Sequence, residues 1–247
     1  MSFSVILPTL NEKGHIINLI ENISDVFKKQ NLEYEILVVD DSSNDGTDKI
    51  VKDYQKSNNF LKLISRLSLK KNLANSINDG IKASKFENII WMDADFQHPP
   101  KYINKFIELS GSYDVVIASR FLKESDRYFN NQVLKKEINE NQSYLFNKIC
   151  KYFLYKDLTD FTSGFICIKK KIFDNFKLKG FYGDYFVSLI SHIKKNNYSI
   201  IEIPFKDELR KSGLSKTIVN VNPKYIYTCT RYAITLISNI LKKLINI

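Results

Sequence analysis

Cysteine is scarce in this 247-residue chain: Cys150, Cys167 and Cys229 are widely spaced and form no Cys-x-x-Cys pair. Neither a disulfide framework nor a cysteine-based zinc site is indicated, and a reducing compartment suits the chain best. Arginine is thin among the 37 basic residues, confined to Arg66, Arg120, Arg127, Arg210 and Arg231, so lysine carries most of the formal charge of +10. An excess of that size favours anionic partners. No helix-turn-helix, RNP or zinc-finger pattern accompanies it, so no nucleic-acid partner is expected. Tryptophan occurs once, at Trp91. Long apolar runs are missing too: near the C-terminus Arg231 and Lys242-Lys243 bracket only about ten residues, short of the ~20 that a bilayer-spanning helix needs. Met1 leads straight into a strand-like segment without a basic stretch before it, so no secretory signal is expected.

The chain does hold enough apolar residues, 44%, for a substantial core in one large α/β domain or a domain with an appendage. They come as short runs alternating with amphipathic stretches. Phe3 to Leu7 (closed by Pro8), Tyr34 to Val39, Leu61 to Ile64, Asn88 to Met92, Asp114 to Ala118, Ile166 to Ile168 and Ser199 to Pro204 read as strands. Ile16, Ile17, Leu19, Ile20, Ile23, Val26 and Phe27 recur at helical spacing. Helices are also expected over Asp48 to Tyr54, Asn72 to Ser84, Tyr102 to Leu109, around Ile172 to Phe176, over Gly183 to Ile193 and from Tyr225 onward. The alternation predicts right-handed βαβ units and a parallel sheet, in which ligands bind at the carboxyl ends of the strands. Pro8, Asp40, Asp41, Asp93 and Asp95 all fall at such ends, so one crevice would collect them.

The stretch Asn88 to Pro100 is chemically the sharpest. A buried-strand run ends abruptly in Asp93-Ala94-Asp95, with Gln97 next and Pro99-Pro100 forbidding continuation. Three oxygen-bearing side chains emerge together, a donor set that suits a hard cation such as Mg²⁺ or Mn²⁺ sharing its coordination with substrate phosphates. A plain acidic loop is the alternative. His98, followed by two prolines, reads as a loop hydrogen-bonder more readily than as a base.

In order along the chain, Pro8-Thr9-Leu10-Asn11-Glu12, Asp40-Asp41-Ser42-Ser43-Asn44-Asp45-Gly46-Thr47, Met92 to Pro100, Ala118-Ser119-Arg120-Phe121, Asp160-Phe161-Thr162-Ser163-Gly164-Phe165 and Glu202 to Lys216 resemble the successive motifs of the GT-A-fold family 2 glycosyltransferases. More narrowly they resemble the dolichyl- or polyprenyl-phosphate mannosyltransferase branch. The resemblance covers nearly the whole length. It implies an α/β, GT-A (Rossmann-like) fold, a mostly parallel central sheet flanked by helices. The catalytic domain would span 1–222, and 223–247 would form a C-terminal membrane-facing amphipathic helix.

The resemblance also implies residue roles. Pro8, Leu10, Glu12 and Asp40, with Asp41 nearby, would hold the donor's base and ribose. Arg210 and Lys216, in a polar loop closing over the donor, would meet its phosphates. Asp45 and Thr47 serve equally well as turn and helix caps. Asp93, Asp95 and Gln97 would carry the cation, while Ser119, Arg120, Lys135 and Lys136 would meet the acceptor phosphate. Asp160 would align the acceptor or cap a turn. The implied partners are a nucleotide-sugar donor, GDP-mannose favoured, a polyprenyl or dolichyl phosphate acceptor, a membrane surface and a possible membrane-anchoring subunit. The implied location is cytoplasmic, peripheral to the cytoplasmic face of a membrane.

The chain departs from the family pattern in places. Leu10 stands where tyrosine is common, and Lys135-Lys136 stand where arginine usually meets the lipid phosphate. A UDP-sugar donor, or a hydroxyl acceptor as in polysaccharide-building relatives, are the rival readings. The second would bring a Gln-x-x-Arg-Trp motif, which a single tryptophan at Trp91 does not supply.

Overall fold

In the computed structural model, which describes residues 1–67, 71–125, 138–180, 183–206 and 223–245, the seven expected strands form one sheet. They are β1 (Ser2–Thr9), β2 (Glu33–Asp40), β3 (Leu61–Ser65), β4 (Asn88–Trp91), β5 (Val115–Ser119), β6 (Ile166–Lys169) and β7 (Ile200–Pro204), ordered β3-β2-β1-β4-β6-β5-β7. Every pairing is parallel except those of β6, which runs antiparallel to both β4 and β5. The parallel strands therefore end at one edge, and the reversed β6 begins there, its Ile166 opposite Trp91 on one side and Ile117 on the other.

Alternation along the strands builds two apolar layers, because successive side chains leave a strand on opposite faces. Val5, Leu7, Ile36 and Val38 pack with Leu19, Ile23 and Phe27 of α1 (Ile16–Lys29), Val51 of α2 (Thr47–Gln55) and Phe106 of α4 (Ile103–Leu109). Ile6, Leu37 and Val39 face the other way. They pack with Ile77 and Ile81 of α3 (Leu73–Ala83), Cys150 of α5 (Ile138–Phe153) and Ile190 of α6 (Asp184–Lys195). Fully burying one such Leu, Ile or Phe contributes roughly 1.5–3 kcal/mol, so these layers dominate the folding energy. α3 approaches β1 so closely that a Cβ on Gly80 would sit 2.5 Å from the Ile6 side chain.

Some boundaries differ from the sequence reading for local reasons. β1 runs through Pro8 to Thr9. The Ile6 carbonyl faces β4, where it accepts the Met92 amide, so Pro8 faces the same way past the end of β4 and its missing N–H leaves no ladder bond unmade. The segment around Ile172 to Phe176 is a single 3₁₀ turn, Lys170–Phe173, too short to propagate as an α-helix. The Tyr102 to Leu109 helix is preceded by another such turn, Pro100–Tyr102, which the preset φ of Pro100 favours.

The last helix, α7 (Pro223–Leu244), packs against α6. Leu236 and Asn239 are buried in that seam, where the Asn239 amide donates to Ser188 Oγ at 3.2 Å. Ile234, Ile237, Leu241 and Leu244 stay exposed, so the helix buries one side and presents apolar residues on another. Among the described residues no helix is long and apolar enough to cross a membrane. Lys243 donates to the Leu154 carbonyl at the end of α5 and lies 5.1 Å from the Tyr155 ring. There it satisfies a carbonyl at a helix terminus.

Candidate active site

The loops after β1 and β2 are laced together at the carboxyl edge. Asn11 donates its amide to Ser43 Oγ (2.8 Å) and accepts the Asn44 amide (2.9 Å), while the Glu12 amide reaches Thr47 Oγ1 (2.9 Å). Asp45 accepts from the Thr47 hydroxyl and amide and from the Lys13 amide. Burial opposes its ionisation, but those hydrogen bonds outweigh it and hold its carboxyl below the usual range. Asp45 and Thr47 are thus loop-bracing residues, the cap alternative of the sequence reading. Asn11, Ser42 and Phe96, in the loops after β1, β2 and β4, all adopt left-handed φ of 58°, 60° and 67°. For a bulky side chain such as Phe96 that conformation costs on the order of 1–2 kcal/mol, and residues of this kind gather at functional edges.

Asp40, buried at the end of β2, accepts the Ser43 amide at 2.9 Å and its hydroxyl at 2.5 Å. Asp41 beside it has both oxygens engaged, one by Arg66 at 2.5 Å and the other by the Asn72 amide at 2.7 Å. Arg66 in turn grips Asp79 and Ser76. Asp41 therefore fastens the β2 exit to the start of α3. Glu12 is buried against His15, its Oε2 lying 3.0 Å from the imidazole Nε2. Pro8 and Leu10 line the same β1 exit, both partly exposed.

The β4 exit places Asp93, Asp95 and Gln97 within one turn. The Asp93 side chain is about half exposed (46%), whereas Asp95 is buried and accepts the Gln97 amide at 3.0 Å. His98 is buried flat against Phe165 (4.8 Å between ring centres), and its Nδ1 accepts the Asp93 amide at 2.9 Å. It braces the loop, as the sequence suggested. Among the described residues no group of three His, Cys, Asp or Glu side chains is set to hold a metal ion. A cation here would rest on two carboxylates, the Gln97 amide oxygen and ligand oxygens. That donor set fits Mg²⁺, which commonly takes one or two carboxylates and completes its shell with water and phosphate.

The β5 exit and the loop entering β6 make the other wall. Asp160, fully buried, receives Arg120 in a two-pronged ion pair, Nε at 2.8 Å and Nη2 at 2.9 Å, and also accepts the Arg120 amide at 3.1 Å. Burial works against its charge, yet the Arg120 guanidinium and these hydrogen bonds hold its carboxyl below the ordinary range. Thr162 Oγ1 accepts from Arg120 (2.8 Å) and from Asn147 of α5 (3.0 Å), whose own oxygen takes the Phe161 amide (2.5 Å). Ser119 is wholly buried, its hydroxyl shared with Thr159 at 2.7 Å. Asn147 was not singled out from the sequence, and Thr162 and Glu202 were named only as members of motifs, with no role of their own; the Glu202 carboxylate accepts both the Thr159 and Asp160 amides. Lys135, Lys136, Arg210 and Lys216 lie outside the described residues.

Residues 4–176 match the family described as Glycosyl transferase family 2. The chain is 32% identical over 222 residues to a protein of Pyrococcus furiosus named dolichol-phosphate mannosyltransferase, covering 87% of this chain but only 59% of that relative. It is 27% identical over 236 residues to a like-named protein of Mycosarcoma maydis, covering 91% and 76%. The solved structure of glucosyl-3-phosphoglycerate synthase from Mycobacterium tuberculosis with Mn²⁺, uridine diphosphate and phosphoglyceric acid superposes with a TM-score of 0.68 at 14% identity, covering 97% of this chain and 78% of that one. Mannosyl-3-phosphoglycerate synthase from Rubrobacter xylanophilus gives 0.68 at 14%, covering 99% and 74%. At such identity the likeness is one of fold, here GT-A-like.

Proposed function

Because the chain belongs to the family 2 glycosyl transferases, we propose that it moves a hexose, mannose from GDP-mannose, onto dolichyl or polyprenyl phosphate at the cytoplasmic face of a membrane. The observation that carries this reading is Arg120, a guanidinium braced by the buried Asp160 at the same sheet edge as the Asp93–Gln97 turn. An anion-binding wall thereby shares an edge with an oxygen-rich one. The relatives named dolichol-phosphate mannosyltransferase support the choice of sugar and lipid.

In this reading Pro8, Leu10, Glu12 and Asp40 cradle the base and ribose, whose hydroxyl and amino groups are donors needing acceptors. Asp41 keeps that pocket in shape through Arg66 rather than touching the nucleotide. Asp93, Asp95 and Gln97 hold Mg²⁺ or Mn²⁺, which when bound offsets the negative charge of the departing nucleoside diphosphate. Arg120 orients the acceptor phosphate, as guanidinium groups do for planar or tetrahedral oxyanions. Ser119, whose hydroxyl pairs with Thr159 and accepts the Phe121 amide, fixes the backbone on either side of that arginine. A phosphate monoester is already ionised near neutral pH, so attack on the anomeric carbon with inversion needs no protein base. Asp160 accordingly holds Arg120 and takes no proton. Arg210 and Lys216 would close over the donor phosphates, and Lys135 and Lys136 would add point charges near the acceptor. The exposed Ile234, Ile237 and Leu241 of α7, on a chain of charge +10, suit the boundary of an anionic lipid surface.

The test is direct. Purified protein is incubated with Mg²⁺ or Mn²⁺, a short-chain polyprenyl phosphate and a panel of GDP- and UDP-sugars, and lipid products are identified by mass. A mannosyl-phosphoryl lipid formed from GDP-mannose is expected. Product from a UDP-sugar alone would reassign the donor, and none from any donor would overturn the reading.

A further inference from the structure

Glu202 sits on β7, an edge strand, opposite Ile117 of β5. Its Oε2 accepts the Thr159 amide at 2.8 Å and the Thr159 hydroxyl at 2.9 Å, while Oε1 accepts the Asp160 amide at 2.8 Å. All three neighbours donate, so only a group that accepts on both oxygens satisfies them together. The backbone caught in this way carries the Asp160 carboxylate straight onto Arg120. One residue separates Glu202 from the guanidinium.

The arrangement is not a cheap source of stability. Burial, with the Asp160 charge adding to it, outweighs the hydrogen bonds and pushes the Glu202 carboxyl up to about 7. An apolar side chain on this strand would avoid that penalty, since buried ionic groups are often less stabilising than apolar replacements of similar volume. What an apolar side chain could not do is hold two consecutive amides in register.

We propose that Glu202 is a positioning residue for the transfer reaction: by binding the Thr159–Asp160 backbone it sets the Asp160 carboxylate that aims Arg120 at the acceptor phosphate. This rests on the reading of Arg120 given above, and the experiment separates the two. Glu202→Gln keeps the shape but turns an NH₂ toward a donor. It is combined with Arg120→Ala in a double-mutant cycle, donor and short-chain polyprenyl phosphate being varied independently. Glu202→Gln alone should lower kcat/KM for the acceptor by roughly 10–100-fold, the scale of a misplacement of about 1 Å, with donor KM within about twofold of wild type. In the Arg120→Ala background it should cost less than about twofold more, because its route to the substrate is already cut.

Additive losses, or a loss spread evenly over donor and acceptor, would show Glu202 acting on the fold at large and would overturn the proposal. If Arg120→Ala alone left acceptor use intact, the role given to Arg120 would fall. The cycle would then be read on whichever parameter Arg120 does govern, where non-additivity supports the coupling and additivity overturns it. Should Glu202→Gln fail to fold, Thr159→Val removes one arm and keeps both amides. A smaller loss confined to the acceptor is expected of it, and an equal loss for both substrates counts against the proposal.

Discussion

Replacing Asp160 by asparagine should be among the most damaging single changes this protein can suffer, although it alters one atom. The carboxylate accepts from Arg120 Nε, Nη2 and backbone amide and from the Thr162 amide. An asparagine amide turned either way presents N–H to at least one of these donors. It also leaves the Arg120 side chain, only 15% exposed, without its counter-charge. Removing one partner of a buried pair costs about 3–5 kcal/mol, and the slight exposure of Arg120 argues for the lower end. For a domain of this size ~1 kcal/mol moves the midpoint by roughly 2–4 °C, so Tm should fall by about 6–12 °C in a thermal melt near pH 7. The sign with pH is also determined. Asp160 has its carboxyl lowered in the folded state, so its contribution is full above the unfolded value near 4 and disappears as pH falls through the lowered folded value. The gap between wild type and Asp160→Asn should therefore close in strong acid. A variant that melted within about 2 °C of wild type at pH 7 would refute the argument that this pair organises the wall.

Glu202 predicts the opposite pH trend: its folded value of about 7 lies above the ordinary 4.5, so folding is favoured below that ordinary value and the benefit is lost as pH rises through 7. Relative to Glu202→Gln, wild-type stability in urea should drop by roughly 1–3 kcal/mol between pH 5 and pH 8, and a constant difference would contradict this. Asp95→Ala should reduce transfer by more than about 100-fold and abolish Mn²⁺ binding measured calorimetrically with nucleoside diphosphate present; wild-type turnover would end the metal assignment. Arg120→Ala should raise acceptor KM well before donor KM, and the reverse order would mean the two substrate walls have been exchanged. Ile237→Asp with Leu241→Asp should cut sedimentation with anionic vesicles by at least about tenfold, since burying either side chain contributes ~1.5–3 kcal/mol. Tm should hardly move, because both side chains are more than half exposed, and undiminished vesicle binding would remove α7 from the membrane reading.

The strands were legible because each is a short apolar run stopped by turn-forming or acidic residues. The gathering of Asp40, Asp93 and Arg120 at one edge follows from that pattern together with the rule for parallel sheets. Less legible were groups whose meaning lies in a distant contact. Glu202 reads as a polar residue on an edge strand until Thr159 and Asp160, more than forty residues earlier, are brought to it. Asn147 likewise reads as one polar position of α5, yet it holds Phe161 and Thr162. Asp41 shows the converse: adjacent to Asp40 it invites the same role, but Arg66 and Asn72 claim it. The stretch around Ile172 has apolar residues at helical spacing but only a few of them, and nucleation needs more turns than it offers.

The position of β6 between β4 and β5 has a consequence for synthesis. β1 to β4 with their intervening helices are neighbours in sequence and in space, so this half of the sheet can assemble once about the first hundred residues have left the ribosome. The opposite side waits for a strand that must slot into the growing sheet from the middle, and then for Glu202 to arrive and clasp the turn before it. A nascent chain would thus acquire the edge that carries Asp40 and Asp93 early and the wall built by Arg120 and Asp160 last, when α7 is about to emerge.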